Sequence, residues 1–169
     1  MNLTTALLIV LEYGHIISAM GWLGGGILTT FVLGPNVGKL PPPASLQFNA
    51  KVLPKLIRFV QMMVGSTLLF GLLLYYFYVG GDFASFMATT EGMTLTAGIA
   101  LALVAGVIGL GVTIPAFNKV SRIANEMLES GSQTPPPELK KYGTRARRGA
   151  LTALVLLLIV LAAMVAAGY

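Results

Sequence analysis

A carboxylate and an imidazole, Glu12 and His15, lie three residues apart inside an uninterrupted apolar run near the start of the chain. His15 is the only histidine. On a helix of about 3.6 residues per turn, Glu12, His15, Ala19, Trp22 and Gly26 follow one another at steps of three or four and so share a face. An imidazole in that position can ligate haem iron or a metal ion, with Glu12 orienting it or passing a proton. It can equally be a neutral ring bonded to Glu12 or to a backbone carbonyl, or a proton relay with no cofactor. Counted from the start of the run, His15 lies about 15 Å deep at 1.5 Å per residue, where charged or strongly polar groups are costly and should face the interior, a cavity or a bound group.

Soft thioethers extend the options. Met20 lies near His15 in sequence, and Met62 and Met63 are adjacent in the second apolar run. Such ligands suit Cu(I) or an axial position on haem iron, although methionine in membrane helices also serves simply as packing. Arg58 and Gln61 share a face near the charged end of the second run. Arg58 reads as an interfacial side chain reaching for water, or as a clamp on an anionic group such as a haem propionate or lipid phosphate. A lone histidine cannot build a multi-histidine zinc or di-iron site within one chain, and no HExxH pair or phosphate loop is present. The GWLGGG stretch lies mid-run rather than between a strand and a helix, so its glycines point to helix contact rather than nucleotide binding.

The elements that hold these residues follow from composition. With 56% hydrophobic and 10% charged residues, the 169-residue chain falls outside the range of soluble domains. It has no cysteine, which removes disulfides, thiolate metal sites and thiol catalysis. Four long apolar runs predict an all-α integral membrane protein, an antiparallel four-helix bundle in one domain covering residues 1–169, because helices satisfy their own backbone in a bilayer. The spans are expected at about 5–33, 54–79, 92–115 and 149–168. The first should stop at Gly34-Pro35, and the second should start near Pro54, where proline costs no hydrogen bond. The third should continue as a helix to about residue 129, where apolar residues keep helical spacing between Lys119, Arg122, Glu126 and Glu129.

All eleven Lys and Arg residues fall in the segments joining the first run to the second and the third to the fourth, or, for Lys55 and Arg58, in the first turns of the second run beside them. That asymmetry predicts cytoplasmic basic loops with both termini outside, in the plasma (inner) membrane. The cations are topology signals rather than a nucleic-acid surface, so the expected partners are the lipid bilayer and a homo-oligomer or larger membrane complex. Tyr75, Tyr76, Phe77 and Tyr78, with Tyr169, suit the outer interface. A weak echo between Gly34-Pro35-Asn36 with Pro41–Pro43 and Pro115–Lys119 with Pro135–Pro137 is compatible with two parallel hairpins. Gly14, Ser18, Gly21 and Gly25 form a small-residue stripe on the first helix, and Gly98, Ala102, Ala105 and Gly109 form another on the third, which predicts that these two helices are neighbours.

The sequence HIISAMGWLGG over residues 15–25 resembles the first membrane helix of CopD-like copper-resistance proteins and of the related HemJ-type protoporphyrinogen oxidases. The run Gly109 to Lys119 is similar in style to that superfamily. The resemblance implies a four-helix protein in which His15 binds haem b or copper, in cofactor handling or electron transfer. Since the other spans offer mostly Leu, Ala, Gly, Ser66 and Thr67 at that depth, a six-coordinate haem would take Met20, another methionine or a histidine of a second subunit. The different reading is a non-catalytic accessory subunit of a larger membrane metalloenzyme or respiratory complex, docking through its small-residue stripes and basic face. A third is a small carrier with Glu12 and His15 as a proton path.

Overall fold

The computed structural model describes residues 3–132 and 134–168; Tyr169, assigned above to the interface, lies outside them. Four long helices carry the architecture: α1, Leu3–Val37; α2, Pro42–Val79; α4, Thr90–Ser130; and α5, Pro137–Ala167. A short α3, Phe83–Met87, sits between α2 and α4. No strand occurs among the described residues. Each long helix is long and apolar enough to cross a membrane, so the chain is a multi-pass membrane protein with the expected all-α, antiparallel four-helix plan. Its exterior is apolar where a soluble bundle would be polar: Tyr13, Met20 and Val107 are 69%, 67% and 70% exposed. The bilayer covers those faces.

Proline shapes the helices without ending them. The amides of Gly34, Leu53 and Ile114, each the residue before a proline, donate five residues back, to the carbonyls of Thr29, Phe48 and Gly109. These are π turns within continuous helices, at Leu28–Leu33, Phe48–Val52 and Gly109–Thr113. A proline ring crowds the carbonyl four residues earlier and donates nothing to it; the wider turn relieves the crowding and lets the helix run on. The expected stop at Gly34-Pro35 is therefore corrected: α1 continues to Val37. Likewise α2 begins at Pro42 rather than near Pro54, and α5 begins at Pro137, so that its basic stretch is helical. The predicted extension of the third helix is present and ends at Ser130.

Packing joins neighbours in sequence. α1 lies along α2, and α4 along α5; α2 meets α4 as extensively as it meets α1, mainly past Ile114 at the basic end, and only α5 with α1 closes the ring loosely. This corrects the pairing of the first helix with the third, since the two small-residue stripes face other partners. A Cβ at Gly14 would stand 2.8 Å from the Phe70 ring, one at Gly21 2.6 Å from the Met63 sulfur, and one at Gly25 2.9 Å from Val60. The α1 stripe is thus filled by large side chains of α2. Gly98 faces Ala163 and Met164 of α5 instead. The cause is the short turn between α1 and α2, which forces them antiparallel and adjacent before any other pairing is available.

The helices overrun the hydrocarbon layer. At 1.5 Å per residue the 35 residues of α1 span about 50 Å, against roughly 30 Å of hydrocarbon. At the basic end the excess forms a second packed layer: Leu46, Ile123, Ala124 and Met127 make one buried cluster, and Leu53, Ile57, Ile114 and Val120 another, with Leu139 and Tyr142 against both. Arg122 pairs with Glu126 across one turn on an exposed face. The opposite end is acidic and compact. Tyr75 of α2 hydrogen-bonds Thr96 of α4 at 2.8 Å and meets Phe86 of α3 edge-on. Asp82 caps α3, accepting from the Ser85 hydroxyl and amide, which hold its carboxyl below the usual value. Gly80 and Gly81, at φ 60° and 90°, release the chain from α2 in the left-handed region that favours glycine.

Candidate functional site

His15 sits in the α1–α2 interface because α2 leaves it room. Gly71 lies under the ring: a Cβ there would stand 2.9 Å from Cε1 and 3.1 Å from Nδ1. One turn earlier, the Thr67 carbonyl lies 3.0 Å from Nδ1. A carbonyl can only accept, so Nδ1 carries the proton and donates it. In the neutral ring Nε2 then presents its lone pair, the tautomer that metal-binding histidines adopt when a carbonyl holds their other nitrogen. Thr67 is itself buried, its hydroxyl donating to the Met63 carbonyl at 2.7 Å. On the α1 side the Ser18 hydroxyl is bonded to the carbonyls of Gly14 and His15, so it adds no donor to the site.

The other residues singled out from the sequence do not gather around this ring. Glu12 is exposed and accepts from the Tyr78 hydroxyl of α2 at 3.1 Å. Of the two partners open to His15, the backbone carbonyl is the one observed. Trp22 is 4% exposed and belongs to the central cluster with Val64 and Ala105, lined by Val60, Met63, Leu68, Leu156 and Leu157. It joins all four long helices and is a core residue. Met20 faces outward at 67% exposure, Met62 at 54%, and Met63 fills the space over Gly21. Arg58 is exposed on α2. These residues are thus spread over the outer face, the core and the α1–α2 seam, with His15 half-buried and oriented by the Thr67 carbonyl.

Gly71 escaped the sequence reading, although Thr67 lay within it. The available signal was a polar residue and a glycine four apart on α2, a spacing that gives an opposing side chain both a carbonyl and a gap. Among the described residues no cluster of three or more His, Cys, Asp or Glu side chains is placed to hold a metal ion. Compared with protein families, curated proteins and solved structures, the chain matches no family model, no curated protein and no solved structure.

Proposed function

We propose that this membrane protein binds haem b through Nε2 of His15 and acts in cofactor handling or electron transfer, in the manner of the CopD-like and HemJ-type proteins that its first helix resembles. The observation that carries the reading is the His15–Thr67 contact of 3.0 Å, which fixes the ring's tautomer over the gap at Gly71. Haem suits the site better than copper. A porphyrin brings four nitrogens and asks this chain for one axial ligand, whereas a copper ion draws most of its donors from the protein, and Met20 and Met62 face elsewhere. A sixth ligand would come from a second subunit. The basic end lies in the cytoplasm, supported by the confinement of every Lys and Arg to it.

The test is an absorption spectrum and metal analysis of detergent-purified protein from haem-replete cells. Haem ligation gives a Soret band that His15→Ala abolishes or shifts; stoichiometric copper without that band transfers the site to copper. Colourless, metal-free material ends the proposal. For orientation, single cysteines replacing Ser132 and Ala84 of this cysteine-free chain should differ: an impermeant maleimide applied outside intact cells labels the second and spares the first.

The accessory-subunit reading keeps one observation in its favour, the packed helical layer at the basic end. It loses another, since the α1 stripe offered for docking is filled by α2. It predicts larger complexes in mild detergent that His15→Ala leaves assembled.

A further inference from the structure

A cavity of about 460 Å³ opens at the basic end, where the apolar stretches give way to charge, between the end of α1 and the starts of α2 and α5. Two of the three π turns line it: Thr29, Thr30 and Leu33 come from the first, Phe48 and Asn49 from the second. π turns are common at functional sites because they turn side chains out of helical phase. Thr30 is 7% exposed, and its hydroxyl has no hydrogen-bond partner among the described residues. Its neighbour Thr29 donates to the Gly25 carbonyl at 2.6 Å, and among the described residues the one other buried hydroxyl without a partner, that of Ser121 on α4, is not on this lining. A buried hydroxyl left unbonded is costly unless something completes it.

The rest of the wall describes what would do so. Arg147 of α5 is the one charged residue on the lining, and no carboxylate faces it there. The only ion pair among the described residues, Arg122–Glu126, lies on α4. Leu33, Leu53, Leu56, Phe117 and Val120 supply most of the apolar wall, and Ser45 and Asn49 add uncharged polar groups. A cation at the charged edge of an apolar chamber, with an unbonded hydroxyl buried in its wall, matches a ligand with an anionic, oxygen-rich head and a hydrocarbon body, once the wall shifts enough to let the hydroxyl reach it. The volume admits a headgroup and the start of a chain, with the tails running out along the loosely packed α1–α5 seam.

We propose that this cavity is a specific site for an anionic phospholipid, its phosphate on Arg147 and the Thr30 hydroxyl. The site is independent of His15. The test is native mass spectrometry of delipidated protein titrated with phosphatidylglycerol, phosphatidylcholine or inorganic phosphate. The wild type should take up one phosphatidylglycerol well before the weaker surrounding lipids bind, with phosphatidylcholine at least about tenfold weaker. Arg147→Gln should weaken that first event roughly tenfold or more, the scale of a charge-assisted contact, and Thr30→Val about fivefold. Lys119→Gln, an exposed cation at the same end and outside the lining, should leave it unchanged. Equal binding of the two lipids, an equal loss in Lys119→Gln, or no loss in Arg147→Gln overturns the proposal. Inorganic phosphate binding as tightly as the lipid overturns the assignment to a membrane component. Arg147 is exposed and Val matches Thr in size, so both variants should fold.

Discussion

α1 carries two polar side chains that end in opposite circumstances. His15, midway along it, finds a partner across the interface, the Thr67 carbonyl, over a glycine that makes room. Thr30, four turns further on, is more deeply buried and finds none, and it forms part of the wall of a cavity. In a medium without water a polar group can close a helix–helix contact or can wait for a ligand; it does both only where a second face is left free. For His15 that face is Nε2. For Thr30 it is the whole hydroxyl.

The contrast can be broken most severely at Gly71. Gly71→Leu places a branched side chain where the ring lies, so α1 and α2 must separate or the imidazole must leave; a loss of about 2–3 kcal/mol is expected in denaturant unfolding of the protein in bicelles. A loss below about 0.5 kcal/mol would mean that the ring is not held there. His15→Leu is milder, since an apolar side chain refills the gap while one interhelical hydrogen bond disappears, at about 1 kcal/mol. Thr30→Val should act with the opposite sign. In delipidated protein it removes an unbonded hydroxyl at constant volume and should raise stability slightly, by about 0.5–1 kcal/mol. Destabilisation by Thr30→Val in the same assay would show that the hydroxyl already has a partner and erase the difference between the two sites.

Much of the plan was legible because the bilayer makes it so. A run of apolar residues too long for a strand must be a helix, and that rule gave four helices, while apolar residues at helical spacing between charges gave the continuation to about residue 129. The pairing was not legible. Glycine stripes announce that something comes close without naming it, and Gly14, Gly21 and Gly25 admit Phe70, Met63 and Val60 of α2 rather than a matching stripe on α4. The prolines misled for a related reason: Pro35 and Pro54 read as a stop and a start, whereas a turn one residue wider absorbs each ring. At the candidate site His15 stood out by its cost, but Glu12, Met20 and Trp22 were grouped by sequence proximity and helical phase, and Arg58 was added as a cation able to clamp an anionic group. Phase relates residues on one helix and is silent about which other helix covers them, so it could not foresee that Trp22 would enter the core while Glu12 reached Tyr78.

The three wide turns also set how one part of the molecule is aimed against another. Each holds one residue more than an α turn, so side chains beyond it are rotated by about 100° relative to those before it. The seam that α2 and α4 present within the bilayer and the seam they present in the layer past it are thereby decoupled. Leu46 and Met127 can meet at the basic end without dictating which way Val64 and Ala105 point at the centre. Each proline works as a joint in angle, letting a membrane bundle and an aqueous cap share continuous helices while each keeps its own orientation about the axis.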